Sequence, residues 1–394
     1  MPLRSFRLPL LAAGLAAGLL ATPSLADQSA TGAANSSKRV CADPAEGFAA
    51  CDAYVKTKGG NVTPDATTTY SAGYSPAQLK AAYGLSGATG STTVAVVDAY
   101  AHPNAAADLA AYRNQFNLGA ANLTQYNQTG GTTLPAADVG WGQEEMLDLE
   151  MVSAICPSCP IIYVAGNTAA FADLAAAVNM AVSKGAKVVS NSYGGAESSG
   201  TTTFASAYNH PGVAITVSSG DNGYGVESPA SFNTVTAVGG TNLVLNADGT
   251  RKTETAWSGA GSGCSAYIAK PSWQHDTGCS RRTVTDVSAV ADPATGVAVY
   301  DSYGSTGGAN WLVFGGTSVA APIIGGVYAL SGNTAGVPAQ LAYSAPAGSL
   351  FDVTTGSNGR CVARKSSTAG YLCTGAAGYD GPTGMGTPNG TSAF

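Results

Sequence analysis

The chain has 394 residues and a net charge of −6, with only 11% of its residues charged, against about a quarter in a typical soluble domain. Its 18 Lys and Arg are scattered along the chain, which argues against the basic face that a nucleic-acid partner requires. So few charges leave few ion pairs to lose when carboxylates protonate, a composition compatible with acid, although an Ala/Gly/Ser/Thr-rich compositional habit accounts for it equally well.

Residues 1–26 read as an export signal. Arg4 and Arg7 supply a basic start, residues 8–21 an apolar stretch, and Ser24-Leu25-Ala26 a small-residue cleavage site. The apolar stretch falls short of the roughly 20 residues a membrane span needs, and no later segment of that length lacks polar residues. The expectation is a secreted, extracellular protein that starts near Asp27, stays off the membrane once the signal is removed, and is monomeric by default. About 370 residues then remain, enough for one large α/β domain or two ordinary ones.

Residues 27–68 are rich in Ala, Gly, Thr and Asp, with little periodicity. They read as a short leader or loosely packed, propeptide-like arm, and residues 69–394 as the domain proper. Eight cysteines in an exported chain point to disulfides rather than metal ligands. Nearness in sequence suggests Cys41 with Cys51, Cys156 with Cys159, Cys264 with Cys279 and Cys361 with Cys373, out of on the order of a hundred possible connectivities. The Cys156-Pro-Ser-Cys159 stretch follows a helical pattern, a setting that favours a structural staple over a redox pair.

From Tyr74 onward strand-like and helical patterns alternate. Strands are expected at residues 92–98, 161–164, 187–192 and 213–218, and helices at 104–116, 141–155, 169–183 and around 203–208. That alternation implies crossover connections and a mainly parallel sheet with helices on both faces. Asn246-Ala247-Asp248-Gly249 has the composition of a hairpin tip, and residues 315–330 form a glycine-rich turn followed by a helix.

Three segments carry chemistry. In Gly315-Gly316-Thr317-Ser318-Val319-Ala320-Ala321-Pro322 a serine stands at the mouth of a helix, where free N–H groups favour a developing anion; Gly-Thr-Ser by itself is as often a helix cap. In Gly142-Gln143-Glu144-Glu145-Met146-Leu147-Asp148, Glu144 and Asp148 share one helix face with Met151, Val152 and Ile155, which turns two carboxyls inward. An acidic first turn would explain Glu144 and Glu145 through the helix dipole, but Asp148 less well. In Val217-Ser218-Ser219-Gly220-Asp221-Asn222-Gly223 a strand runs into a turn, setting Asp221 at the carboxyl edge of the sheet. The three histidines, His102, His210 and His275, each stand beside Pro or Asp in expected loops, and Asp98 ends a strand.

Gly-Thr-Ser-Xaa-Xaa-Xaa-Pro resembles the nucleophile segment of the subtilisin and sedolisin clan. Glu144-Glu145-Met146-Leu147-Asp148 and Ser218-Ser219-Gly220-Asp221-Asn222-Gly223 are similar to the corresponding segments of the sedolisins, the serine-carboxyl peptidases. The resemblance covers about four fifths of the chain and implies an α/β, subtilisin-like three-layer fold with a mainly parallel central sheet. It implies a secreted endopeptidase acting on polypeptides in acid, with Ser318 as nucleophile, Glu144 and Asp148 in place of the usual histidine, and Asp221 protonated beside the oxyanion. It further implies a calcium site, with Asp352 and Asp380 ligating through side chains and Val353, Ala376 and Gly378 through carbonyls; Ala376 stands where many relatives have glycine. Sedolisins commonly carry a large folded propeptide, whereas only some 40 residues separate signal and domain here. Two alternatives are a subtilisin-type enzyme that joins Asp98 to a distant histidine, and an exported non-catalytic binding protein on the same fold.

Overall fold

Runs of buried β-branched residues build the centre of the molecule, which was obtained as a computed structural model describing residues 1–2, 36–59, 63–361 and 367–394. The export-signal motif lies outside the described residues. Along the chain the sheet strands are β1 (Val94–Ala99), β2 (Leu123–Asn127), β3 (Ile161–Gly166), β4 (Val188–Asn191), β5 (Ala214–Ser218), β6 (Thr236–Leu245), β7 (Arg251–Ala256) and β8 (Val287–Val290). Their spatial order is β7-β6-β5-β4-β1-β3-β2, with β8 beside β6. Every pairing is parallel except the β6–β7 hairpin that turns at Asn246–Gly249. Strands covered on both faces have no reason to alternate, and β1, β3, β4 and β5 are buried at every residue.

The helices are α1 (Pro76–Ala82), α2 (Ala105–Gln115), α3 (Val139–Ile155), α4 (Phe171–Ser183) and α5 (Thr317–Ser331). The turn expected near 203–208 is a 3-10 helix, Thr201–Tyr208. Helix α1 was not anticipated, although its sequence signal is present: Ser75 and Gln78 form a reciprocal capping box with Pro76 at the first helical position. Helix α3 is buried all round from Glu144 to Ile155, so the expected single inward face is too narrow a description. It also starts at Val139, with the Asp138 side chain accepting the Trp141 N–H at 2.9 Å. Glu144 and Glu145 therefore lie beyond the first turn, and the helix dipole does not account for them. Helix α5 packs closely on α3 because Gly326 faces Ile155, where an added Cβ would come within 2.7 Å of the Ile155 side chain.

The described part of the arm is packed into the domain rather than lying loose. Ser36–Arg39 and Tyr54–Thr57 pair with each other, and Tyr54–Thr57 continues onto Trp311–Gly315 in a second, antiparallel sheet. Ala50–Cys51 pairs with Tyr193–Ala196. Val55 and Cys51 are fully buried, so this segment contributes apolar area to the fold. All four disulfides form as expected from sequence proximity. Among the described residues no helix is long and apolar enough to cross a membrane.

One buried ion pair ties the sheet to the C-terminal loops. Arg282 and Asp286 are both fully buried, with Nη1 2.6 Å from Oδ1. Asp286 also accepts the Ala237 N–H of β6 at 2.8 Å and the Tyr343 hydroxyl at 2.9 Å. Removing one partner of such a pair strands the other charge without water. Asp286→Ala is expected to lower stability by about 3–5 kcal/mol in urea unfolding, and a loss below about 1 kcal/mol would show that Arg282 finds another partner.

Candidate active site

The strand Trp311–Gly315 delivers the chain to Gly316 and straight into α5. Gly316 has φ of 105°, and a Cβ there would lie 2.1 Å from the Asp52 carbonyl oxygen and 2.6 Å from Asp221 Oδ2. Both the left-handed backbone and the close approach demand glycine. Ser318 follows, fully buried, as the second residue of the helix. Its N–H donates to the Asp52 carbonyl at 2.9 Å and its hydroxyl donates to the Ser192 carbonyl at 3.1 Å. Pro322 lies past the first turn and cannot donate to the Ser318 carbonyl four residues earlier; the Ser192 hydroxyl stands 3.4 Å from that carbonyl instead.

Four carboxyls gather around the buried middle of α3 and the end of β1. Asp148 accepts the Ser192 hydroxyl, which sits 2.8 and 2.7 Å from its two oxygens. Glu145 accepts the His102 N–H at 2.7 Å. Glu144 and Asp98, both fully buried, have no hydrogen-bond partner at any of their oxygens among the described residues. Burial pushes Glu144 well above the usual carboxylate range and the charges of Asp148 and Asp98 push the same way, with the neighbouring Ser318 hydroxyl opposing them. Asp148 is raised by burial and then by Asp98, against the Ser192 hydroxyl. Burial alone pushes Asp98 up to about 8. Sequence reading set Asp98 aside as a strand-end residue; its open oxygens place it in the carboxyl cluster, and no signal short of the fold says which side chains it faces.

Asp221 approaches from the end of β5. Its Oδ1 accepts the Thr317 N–H at 2.7 Å and the Thr317 hydroxyl at 2.9 Å, while Oδ2 has no partner among the described residues. Burial pushes it up to about 8, against the Thr317 hydrogen bonds and Arg39, with Glu227 adding to the rise. Below that pH its free oxygen carries a proton to donate. The structure thus brings Ser318, Glu144, Asp148 and Asp221 into one site.

His102 and His210 are engaged elsewhere, and His275 is exposed. His102 Nε2 lies 2.8 Å from Asp301 and 3.4 Å from Asp108, and its Nδ1 accepts the Asn104 N–H at 3.0 Å. His210 bonds to Asn179 and the Ala207 carbonyl. No hydrogen bond among the described residues joins Ser318 to a histidine, which removes the support for a subtilisin-type base. The cluster His102, Asp108 and Asp301 also has ligand-like spacing; His102 Nε2 bonds within it to Asp301, while Asp301 Oδ2 has no partner among the described residues.

The loops that carry the expected cation ligands converge. Gly378 N–H donates to Asp352 at 2.9 Å and Ala376 N–H to Asp380 at 3.0 Å. Burial pushes Asp380 up to about 7, and Asp352 adds to the rise. Two neighbouring carboxyls, one of them buried, on a turn that offers backbone carbonyls make an all-oxygen donor set that fits a hard cation.

Residues 139–336 match the model of the subtilase family. The chain is 31% identical to sedolisin of Pseudomonas sp. (strain 101) over 80% of its own length and 60% of that protein's. It is likewise 31% identical to kumamolisin of Bacillus sp. (strain MN-32), over 72% of its own length and 56% of that protein's. The chain therefore spans little more than half of each of these relatives. A solved Pseudomonas sedolisin, a serine-carboxyl proteinase complexed with two molecules of pseudo-iodotyrostatin, superposes with a TM-score of 0.70 at 27% identity, covering 82% of this chain and 96% of that one. With the fold and the serine at the start of α5 in agreement with the family model, the chain belongs to the subtilase family, and it is similar there to sedolisin.

Proposed function

We propose that this chain is a secreted serine-carboxyl endopeptidase that cleaves polypeptides in acid. The observation that carries the proposal is the pair of unpartnered buried carboxyls, Glu144 and Asp98, gathered with Asp148 beside the Ser318 hydroxyl. Buried charges without partners are costly, so an arrangement that keeps them open is better explained by chemistry than by stability. The three groups titrate as a set: a first negative charge spreads over them, and a second is opposed by the first. That single charge, at Glu144, accepts the Ser318 proton as the hydroxyl adds to a peptide carbonyl. Asp148, held by Ser192, positions Glu144 and shares its charge. The Ser318 N–H and a protonated Asp221 stabilise the oxyanion, the amine departs, and water releases the acyl group.

Export is supported by the N-terminal motif and by four disulfides. Calcium is the cation proposed for Asp352, Asp380 and the carbonyls of Val353, Ala376 and Gly378, where it would supply positive charge that binds the C-terminal loop.

Hydrolysis of a denatured protein from about pH 2 to 8 tests the reading. Activity is expected in acid, to vanish with Ser318→Ala, and to fall about 10²–10³-fold in kcat with Asp221→Ala. It is expected to decline as the pH approaches about 8, where Asp221 loses its proton. An optimum near neutral pH with Asp221→Ala unchanged would overturn the carboxyl mechanism.

Stability offers a second check. Asp98 and Asp221 bind protons more tightly folded than unfolded. Their contribution is therefore complete below the unfolded carboxylate value of about 4 and is lost as the pH climbs through the folded values towards 8. The Tm is expected to be on the order of 10 °C higher at pH 4 than at pH 8, and a Tm that rises with pH would contradict the protonated interior. For the cation, millimolar calcium is expected to raise the Tm and a chelator to reverse the rise; an equal rise in Asp380→Ala would place the ion elsewhere.

A further inference from the structure

A second polar cluster lies outside the catalytic carboxyls. His102 belongs to the loop after β1, Asp108 to the first turn of α2, and Asp301 follows the strand Val297–Tyr300. All three side chains are buried. His102 Nε2 stands 2.8 Å from Asp301 Oδ1 and 3.4 Å from Asp108 Oδ2, and one donor atom from each residue falls within 4.8 Å of the others. In a four-coordinate zinc site, bonds of about 2.0–2.2 Å place neighbouring ligand atoms about 3.3 Å apart. A small shift of Asp301 therefore suffices to admit an ion.

The chain does not balance the charges gathered here. His102 Nδ1 accepts the Asn104 N–H at 3.0 Å, so the ring is neutral and carries its proton on Nε2. Among the described residues no Lys or Arg pairs with Asp108, Asp301 or Glu150. Arg113, on the same helix as Asp108, gives its donors to the Ser153 hydroxyl and to the carbonyls of Leu118, Gly119, Ala120 and Pro157. Asp301 Oδ2, Glu150 Oε1 and the Tyr112 hydroxyl are buried and have no hydrogen-bond partner among the described residues. Glu150 sits on α3 within reach of the Asp301 and Asp108 charges, and Tyr112 lies one turn beyond Asp108 on α2. Buried carboxyl oxygens that lack both a cation and a hydrogen bond are costly, and one divalent ion removes that cost for several of them.

The surroundings hold the three side chains in place. Asp108 Oδ2 accepts the Ser302 N–H at 2.8 Å and the Ser302 hydroxyl at 2.9 Å, and Asp301 Oδ1 accepts the Tyr303 N–H at 2.9 Å. The imidazole packs edge-to-face with Tyr303 at 5.5 Å. Gly142 leaves room for the ring, since an added Cβ would lie 3.1 Å from its Cδ2. Supporting contacts of this kind orient metal ligands. A cleft of about 400 Å³ bordered by His102, Pro103, Gln125 and Leu134 offers a route in.

We propose that His102 Nε2, Asp108 and Asp301 bind a divalent transition-metal ion of the zinc class, with Glu150 as the adjoining carboxyl. An imidazole among carboxylates suits zinc, whereas calcium takes oxygen ligands alone, which separates this site from the one at Asp352 and Asp380. Loading moves the imidazole proton from Nε2 to Nδ1. The Asn104 N–H contact and the Nε2–H bond to Asp301 then give way to three metal–ligand bonds. The ion ties the loop after β1 to α2 and to the loop after Val297–Tyr300, behind Glu145, which accepts the His102 N–H at 2.7 Å. Its role is structural, and it does not depend on the peptidase reading.

The test takes the full chain, freed of metal by a chelator, and titrates zinc chloride at pH 7, where the imidazole is available. Wild type is expected to bind zinc with a Kd of about 10 µM or tighter, to gain Tm on binding, and to show the intense visible absorption of four-coordinate cobalt when Co²⁺ replaces zinc. Asp301→Asn and Asp108→Asn preserve the shape of each side chain and an oxygen for its backbone N–H. Both are expected to keep the wild-type circular dichroism and to bind zinc at least about a hundredfold more weakly; if one fails to fold, the other decides. Asp380→Ala is expected to bind zinc as wild type does. Wild-type binding no tighter than millimolar, equal binding by wild type and both amide variants, or loss of binding in Asp380→Ala would overturn the inference.

Discussion

The structure depends on carboxyl groups held in its interior without cations. Helix α3 packs against the central sheet alongside α5 and is buried on every side over its second half, so Glu144, Glu145, Asp148 and Glu150 have no route to water. The environment sorts them. Glu145 accepts the His102 N–H and Glu150 the Tyr300 N–H at 2.9 Å, which fixes loops against the helix. Glu144 and, across from it, Asp98 are given nothing. Desolvation then dictates their state: each prefers its neutral form, and a charge is tolerated only when it is shared. A site so made stores protons, and it is suited to conditions in which protons are abundant.

The parallel sheet explains how such groups come to one place. Asp98 ends β1, Ser192 follows β4, and Ser218 ends β5 just before Asp221, so adjacent strands offer their carboxyl ends to a single crevice. Helix α5 enters that crevice by its N-terminus, where N–H groups have no partner within the helix. Gly316 permits the entry, since any side chain would occupy the space between Asp221 and the peptide carbonyl bound there. The serine is therefore placed by backbone geometry at its own position and by carboxyls from three other elements.

Much of the fold was legible in sequence because strands buried on both faces leave long apolar runs and crossover helices separate them regularly. The short antiparallel strands Val297–Tyr300 and Trp311–Gly315 were not, since their residues are chosen by the partners they meet rather than by a period. Ser318, Glu144, Asp148 and Asp221 stood out through motif resemblance. Asp98 entered only through the histidine-based alternative, because its place in the carboxyl cluster depends on three-dimensional surroundings alone. The arm was misjudged for a related reason. Its composition is that of a loose segment, yet a chain lacking periodicity can still add strands to two sheets when their edges and a disulfide receive it.

The arm and the carboxyl set act on each other. Asp52 is among the negative neighbours that raise the proton affinity of Glu144, after burial, Asp148 and Asp98. While the arm lies in the cleft it covers Ser318, and burial holds Glu144 towards its protonated form. In a histidine-based site an occupying peptide blocks access and leaves a base that ionises near neutrality. Here the same segment both covers the serine and adds to the burial that raises the proton affinity of the base.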